Sequence, residues 1–322
     1  MKCTCSRAVL AASCLAAAAF TALAAPLQRA EVAGNPSWVA HVDFDGLRPT
    51  AIGQYILSEM DKPESQAKLA AFKAIVSVDL RTQLHGVTVY STGTTPQDGV
   101  LLVYADFDAD RLVTLAKAAH DSQNNTYKQH TIYNWIDDKK KARHGVKPRV
   151  YAAIDGALVV FGQREERVAQ ALDVIDGASP NLASTSLFPA LGANGDTSFL
   201  EGAATRFNLP SADPNAALLK LAQQGLLQLG ASGDQLNGVL NLQAQDEEVA
   251  GHMASVAQGL IALMKLQQDK PETAKFAQGL TVSQDGQALT IKLSLPATDA
   301  VGMMKADAAR KAHKKAAKEA TD

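Results

Sequence analysis

Apolar and polar positions alternate along this chain in blocks of strand-like and helix-like period, and the blocks occur in the same order twice. The clearest block is 99–120, GVLLVYADFDADRLVTLAKAAH. An apolar run leads there into a helix that Asp108 caps, with Leu112, Leu115, Ala116 and Ala119 spaced to face a sheet. An echo lies at 238–260, GVLNLQAQDEEVAGHMASVAQGL. Gly238 stands for Gly99, Val239-Leu240 for Val100-Leu101 and Asp246 for Asp108.

Upstream, Asn35-Pro36 opens a strand over 37–44. Its period of two sets Trp38, Ala40, Val42 and Phe44 on a dry side and Val39, His41 and Asp43 on a wet one. Helices follow from Pro49-Thr50, with Ile52, Ile56 and Met60 on one face, and over 65–76. The runs 84–91 and 99–107 form a hairpin around TGTTPQDG. A strand at 127–136, a hairpin at 149–161 turning on Asp155-Gly156, and a helix at 164–175 complete the first set. After a Gly-, Ser- and Pro-rich stretch at 177–196, the second set runs as a strand at 197–202 and a helix at 214–224. A hairpin at 226–245 turns near Ser232-Gly233-Asp234, then come a long helix at 247–267 and a hairpin at 280–295 turning on Asp285-Gly286.

This order predicts an α+β protein of two tandem pseudo-repeats, each a mainly antiparallel sheet with helices packed on one face. The first repeat spans 35–178 and the second 197–304, joined by a connection at 179–196. The two sheets can continue into one another, and a groove between the halves would be the natural ligand or partner site.

The ends carry different signals. Residues 1–24 read as a secretory signal peptide: Lys2 and Arg7 precede an alanine-rich apolar segment, and Ala22-Leu23-Ala24 supplies the small-x-small cleavage pattern. Lipoprotein processing at Cys14 is the rival reading. All three cysteines (Cys3, Cys5, Cys14) lie inside that leader, so the remainder has no disulfide framework and no thiolate chemistry. Export is the expectation, with the periplasm of a Gram-negative bacterium as address and secretion to the outside as the alternative. No later stretch is apolar for the roughly 18 residues that a membrane span requires. Without Lys2 and Arg7 the chain holds 29 basic and 33 acidic residues, and the basic Ala/Lys-rich tail 305–322 leaves the body still more acidic. An anionic body argues against nucleic acid as a partner.

Candidate chemistry is sparse. His41-x-Asp43-x-Asp45 places an imidazole and two carboxylates at strand spacing, a donor set suited to zinc or another divalent ion in a metal-dependent hydrolase. Asp106-x-Asp108-x-Asp110 resembles the start of a calcium loop but has Arg111 and Lys117 where the glycine and glutamate belong, so helix capping explains it. The basic excursion Lys139, Lys140, Lys141, Arg143, His144, Lys147 and Arg149, beside Trp135, is a candidate partner-contacting loop that could meet phosphates, headgroups or an anionic surface. The chain has no G-x-S-x-G, H-E-x-x-H, Walker or G-x-G-x-x-G motif, and no cofactor is implied. The expected function is therefore a non-enzymatic envelope binding module for a protein or small-molecule ligand. The hydrolase and a surface-associated protein using the basic loop and tail are its alternatives.

Overall fold

A computed structural model describes residues 25–142, 147–193, 198–205, 217–267 and 271–319. The strands are β1 (Trp38–Asp43), β2 (Leu84–Ser91), β3 (Gly99–Ala105), β4 (Gln123–Tyr127), β5 (His130–Ile136) and β6 (Arg149–Asp155). They continue with β7 (Leu158–Gly162), β8 (Ser198–Ala204), β9 (Ala222–Ser232), β10 (Gln235–Ala244), β11 (Leu280–Asp285) and β12 (Ala288–Pro296). The helices are α1 (Phe44–Leu47), α2 (Ala51–Met60), α3 (Pro63–Val76), α4 (Ala109–Ala118) and α5 (Glu165–Ile175). After the connection come α6 (Ala217–Lys220), α7 (Glu247–Lys265), α8 (Pro271–Gln278) and α9 (Ala297–Glu319).

All the strands join one 12-stranded antiparallel sheet, ordered β11-β12-β10-β9-β8-β1-β2-β3-β7-β6-β5-β4. The expected α+β class and antiparallel pairing hold. The halves meet where β1 pairs with β8, Trp38 opposite Ala204 and Val42 opposite Leu200, so a shared ladder replaces the expected groove between them. The halves also differ: 127–136 is not one strand but part of the β4–β5 hairpin, which turns at Lys128 with φ 53°. Of the helix expected at 214–224, only α6 lies among the described residues before β9 begins at Ala222.

Cross-strand partners share a face, which sorts the helices. One face carries Val39, Tyr90, Leu102 and Val160 beneath Val168 and Leu172 of α5. The other carries Val103, Val159 and Ala152 under α4, and in the second half Leu242, Leu289, Leu293 and Leu295 under α7 and α9. Helices were expected on one face only; α5 lies on the opposite one. The physical reason is in β6 and β7, whose runs YAAI and LVVF are apolar at successive positions and so bury both sides. Truncating the fully buried Leu172 would cost about 2–5 kcal/mol.

Two further expectations change. The Gly- and Ser-rich stretch between the halves is no loose spacer: Leu182, Phe188 and Leu191 are fully buried in the main core. Arg29 ties this stretch down by donating to the carbonyls of Leu182, Leu187, Phe188 and Leu191. The faces of β1 are also the reverse of those expected. Trp38 is exposed, while Val39, His41 and Asp43 are buried beneath the segment that begins at Ala25 and supplies Leu27 and Val32 to the core. The described part of the tail is helical as well: α9 continues from Ala297 through Glu319, and Lys305 Nζ lies 5.7 Å from the Tyr55 ring of α2.

Candidate functional site

The strand spacing that should align His41, Asp43 and Asp45 ends at Asp43, because the chain turns there into α1 and Asp43 caps it, accepting from the Gly46 N–H at 2.9 Å. His41 stays on the buried face between the Thr88 hydroxyl and the Ala25 carbonyl, each 2.9 Å away. Burial lowers its pKa, against the raising effects of the Ala25 hydrogen bond and the nearby Asp43. Asp45 lies elsewhere, paired with Arg48 and, at 2.9 Å, with Nδ1 of His85. The three candidate ligands therefore do not converge. No group of three or more His, Cys, Asp or Glu among the described residues is placed to hold a metal ion.

The candidate basic loop divides. Trp135 turns into the apolar side of the sheet, away from the charges. Arg149 is held by Asp121 (2.6 Å) and Asn134 (2.6 Å), and Lys147 by Asp138 (2.6 Å). Lys139 is exposed, and Lys140 lies 3.9 Å from Asp137. Lys140, Lys141, Lys147 and Arg149 nonetheless edge one surface depression of about 670 Å³. Arg143 and His144 lie outside the described residues.

The feature with the clearest chemistry was not singled out from the sequence. Between α3, α4 and the sheet lies a cavity of about 450 Å³ lined, among the described residues, without a single charged side chain. Its floor is β3, β5, β6 and β7, through Val103, Tyr133, Trp135, Ile154, Val159 and Phe161; α4 contributes Leu112 and Leu115, and α3 contributes Phe72 and Val76. The helical spacing of Leu112, Leu115, Ala116 and Ala119 foretold that α4 faces the sheet. What it could not foretell is that alanines 116, 119 and 152 line the interface together, leaving space that larger side chains would fill. The volume falls within the range usual for small-molecule pockets. A depression of about 660 Å³ beside α5 is larger, but its lining mixes Arg167, Gln170 and Asn35 with apolar groups.

One wall of the cavity is lightly built. α3 buries none of its own residues, and its Phe72 and Ile75 stay 37% and 55% exposed. Arg111, in the first turn of α4, donates to the last carbonyls of α3, those of Ala74 and, at 2.6 Å, Ile75. These are carbonyls that a helix end leaves free, at the negative end of its dipole, so the guanidinium latches one helix to the other.

No family model and no curated protein sequence matches the chain. Among solved structures, crystal form III of TP0453 is similar to it, with a TM-score of 0.49 and 12% identity over 88% of this chain and 99% of that one. Crystal form IV of TP0453 gives 0.46 and 12% over 89% and 98%. Among the described residues, no helix is long and apolar enough to cross a membrane.

Proposed function

We propose that this chain is an exported, non-enzymatic binding protein of the cell envelope whose ligand is an apolar small molecule, an acyl chain being the simplest fit. One observation carries the reading: an uncharged cavity of about 450 Å³, closed on one side by a helix with no buried residue of its own. An apolar chain gains by leaving water there, while a charged group would lose its hydration without compensation and so has to stay in solvent outside that lining. The export half rests on the leader pattern of 1–24. A hydrolase reading has no converged ligand set to support it. Attachment to an anionic surface has one supporting feature, the depression edged by Lys140, Lys141, Lys147 and Arg149. Its mark would be vesicle binding that salt abolishes.

The test is titration of the purified protein with a fluorescent long-chain fatty acid, competed by the unlabelled acid. Saturable binding with a Kd near about 1 μM is expected, equivalent to about −8 kcal/mol. Filling the cavity with Ala116→Leu and Ala152→Leu should weaken it by roughly tenfold or more, since each excluded methylene is worth about 0.8 kcal/mol. Absence of saturable binding, or equal affinity in the filled variant, would overturn the assignment.

A further inference from the structure

The buried carboxylate of Asp43 is incompletely satisfied. It is 1% exposed, and its Oδ1 accepts two backbone N–H groups, Gly46 at 2.9 Å and Ala25 at 3.2 Å. Its Oδ2 has no hydrogen-bond partner among the described residues, and no basic side chain among them pairs with it. His41, 3% exposed, holds the other side of Ala25: its Nε2–H donates to the Ala25 carbonyl, which can only accept. Nδ1 meets the Thr88 hydroxyl, which can donate or accept, and burial disfavours the charged ring, so His41 is a poor countercharge for Asp43. Opposite Asp43 in the β1–β2 register stands Gly86, where a Cβ would lie 3.3 Å from His41 Cε1 and 3.4 Å from the Ala25 Cβ. The residues that follow are fixed too, Leu27 in the core and Arg29 on four carbonyls.

An amide N–H offers one donor and no net charge to a buried carboxylate. An α-ammonium offers three donors and a full positive charge, enough to reach both oxygens and balance the site. Ala25 is also the first residue after the Ala22-Leu23-Ala24 cleavage pattern. We propose that Asp43 and His41 form a socket for the free α-ammonium group of Ala25, created when the leader is cut after Ala24. Removal of the leader would then complete the core: cleavage and folding are coupled at one buried carboxylate. This inference shares the export reading with the proposed function and owes nothing to the cavity.

The experiment begins with the full chain expressed with its leader, and the first residue of the exported product is read by N-terminal sequencing and intact mass. Ala25 is expected. The native product is then treated at neutral pH with an amine-reactive succinimidyl ester, and labelling of the 25–29 peptide is followed by mass spectrometry. The Ala25 amine should react about tenfold or more slowly than the same amine in Asp43→Asn, tenfold corresponding to one pKa unit. Should Asp43→Asn not fold, a product beginning with one added glycine before Ala25 serves instead. It leaves the body intact, moves the ammonium out of the socket, and should label fast and melt roughly 2–4 °C lower per kcal/mol lost. A first residue other than Ala25, including a lipid-blocked Cys14, overturns the socket together with cleavage after Ala24, whatever the cavity binds. An Ala25 start with equal labelling rates overturns the socket alone.

Discussion

A row of polar side chains crosses the middle of the sheet inside its buried face: Gln228, Glu201, His41 and Thr88 stand in one line of register over β9, β8, β1 and β2. Glu201 accepts from Gln228 (3.1 Å) and the Gly192 amide (2.6 Å), and burial raises its pKa. Period-two alternation made the two faces of β1 legible but not which of them is dry. Trp38 and Ala40 weighted the choice wrongly, because the cover over His41 comes from 25–33, which carries no periodic signal, and from 180–191, whose composition reads as linker. Two histidines in this region carry opposite pH dependences. Burial keeps the pKa of His41 below its ordinary 6.5, so below that pH the unfolded chain takes up a proton that the folded one refuses, and stability falls. His85 is the reverse. Partial burial opposes its charge, but hydrogen bonds to Asp106 (3.0 Å) and Asp45 (2.9 Å) outweigh this and raise its pKa above 6.5. Both partners are carboxylates that only accept, so both ring nitrogens donate. That stabilisation is complete below 6.5 and is lost as pH rises through the folded value. Urea unfolding at pH 5.5 and 8 should therefore show His85→Gln losing more against wild type at pH 5.5. His41→Asn should do the opposite, its deficit smaller at pH 5.5 than at 8. Parallel pH profiles for the two variants would show that neither ring titrates as described.

At the scale of elements, the sequence was most readable where a side chain acts on its own backbone. Asp108 and Asp246 cap α4 and α7 as their spacing indicated, accepting from Arg111 N at 3.0 Å and Val249 N at 2.8 Å. Gly156 and Gly286 turn their hairpins at φ 58° and 52°, values that glycine adopts without the cost other residues meet. Replacing either cap by alanine should cost about 1 kcal/mol in chemical denaturation. The β4–β5 turn was hidden because it uses Lys128 at positive φ with no Gly, Asn or Asp to announce it. The role of α3 was hidden for a different reason. A helix that buries nothing has no stripe to read, and its attachment depends on Arg111, which stood out in the sequence only as the residue in the glycine position of an incomplete calcium loop. Arg111→Ala should therefore act on ligand exchange more than on stability. The expected result is faster release of a fluorescent fatty acid in stopped flow, with a change in global stability within about 1 kcal/mol, as for a mainly exposed contact. Unchanged release with a large loss of stability would show that α3 is structural cladding and not a moving wall.

Across the whole molecule, the strands run outward from the β1–β8 seam as β2, β3, β7, β6, β5 and β4 on one side and as β9, β10, β12 and β11 on the other. The antiparallel strands of that layout were legible from their period-two alternation. Its continuity was not, since no local signal says which edge strands will meet. The consequence is thermodynamic. Separate repeats would unfold independently, whereas here the seam, the Arg29 bonds to 182–191 and the Glu201–His41 register make either half an incomplete sheet with an open edge strand. The 12-stranded sheet should then melt as one cooperative unit. The chain offers a direct check, because both of its tryptophans, Trp38 and Trp135, lie in the first half. Tryptophan fluorescence reports that half alone, while far-ultraviolet circular dichroism reports both. Coincident urea transitions by the two probes are expected. A dichroism step with no counterpart in fluorescence would mean that β8 to β12 unfold without disturbing β1. The pairing across the seam would then be too weak to unite the halves, and the cavity under α4 would belong to a unit that stands by itself.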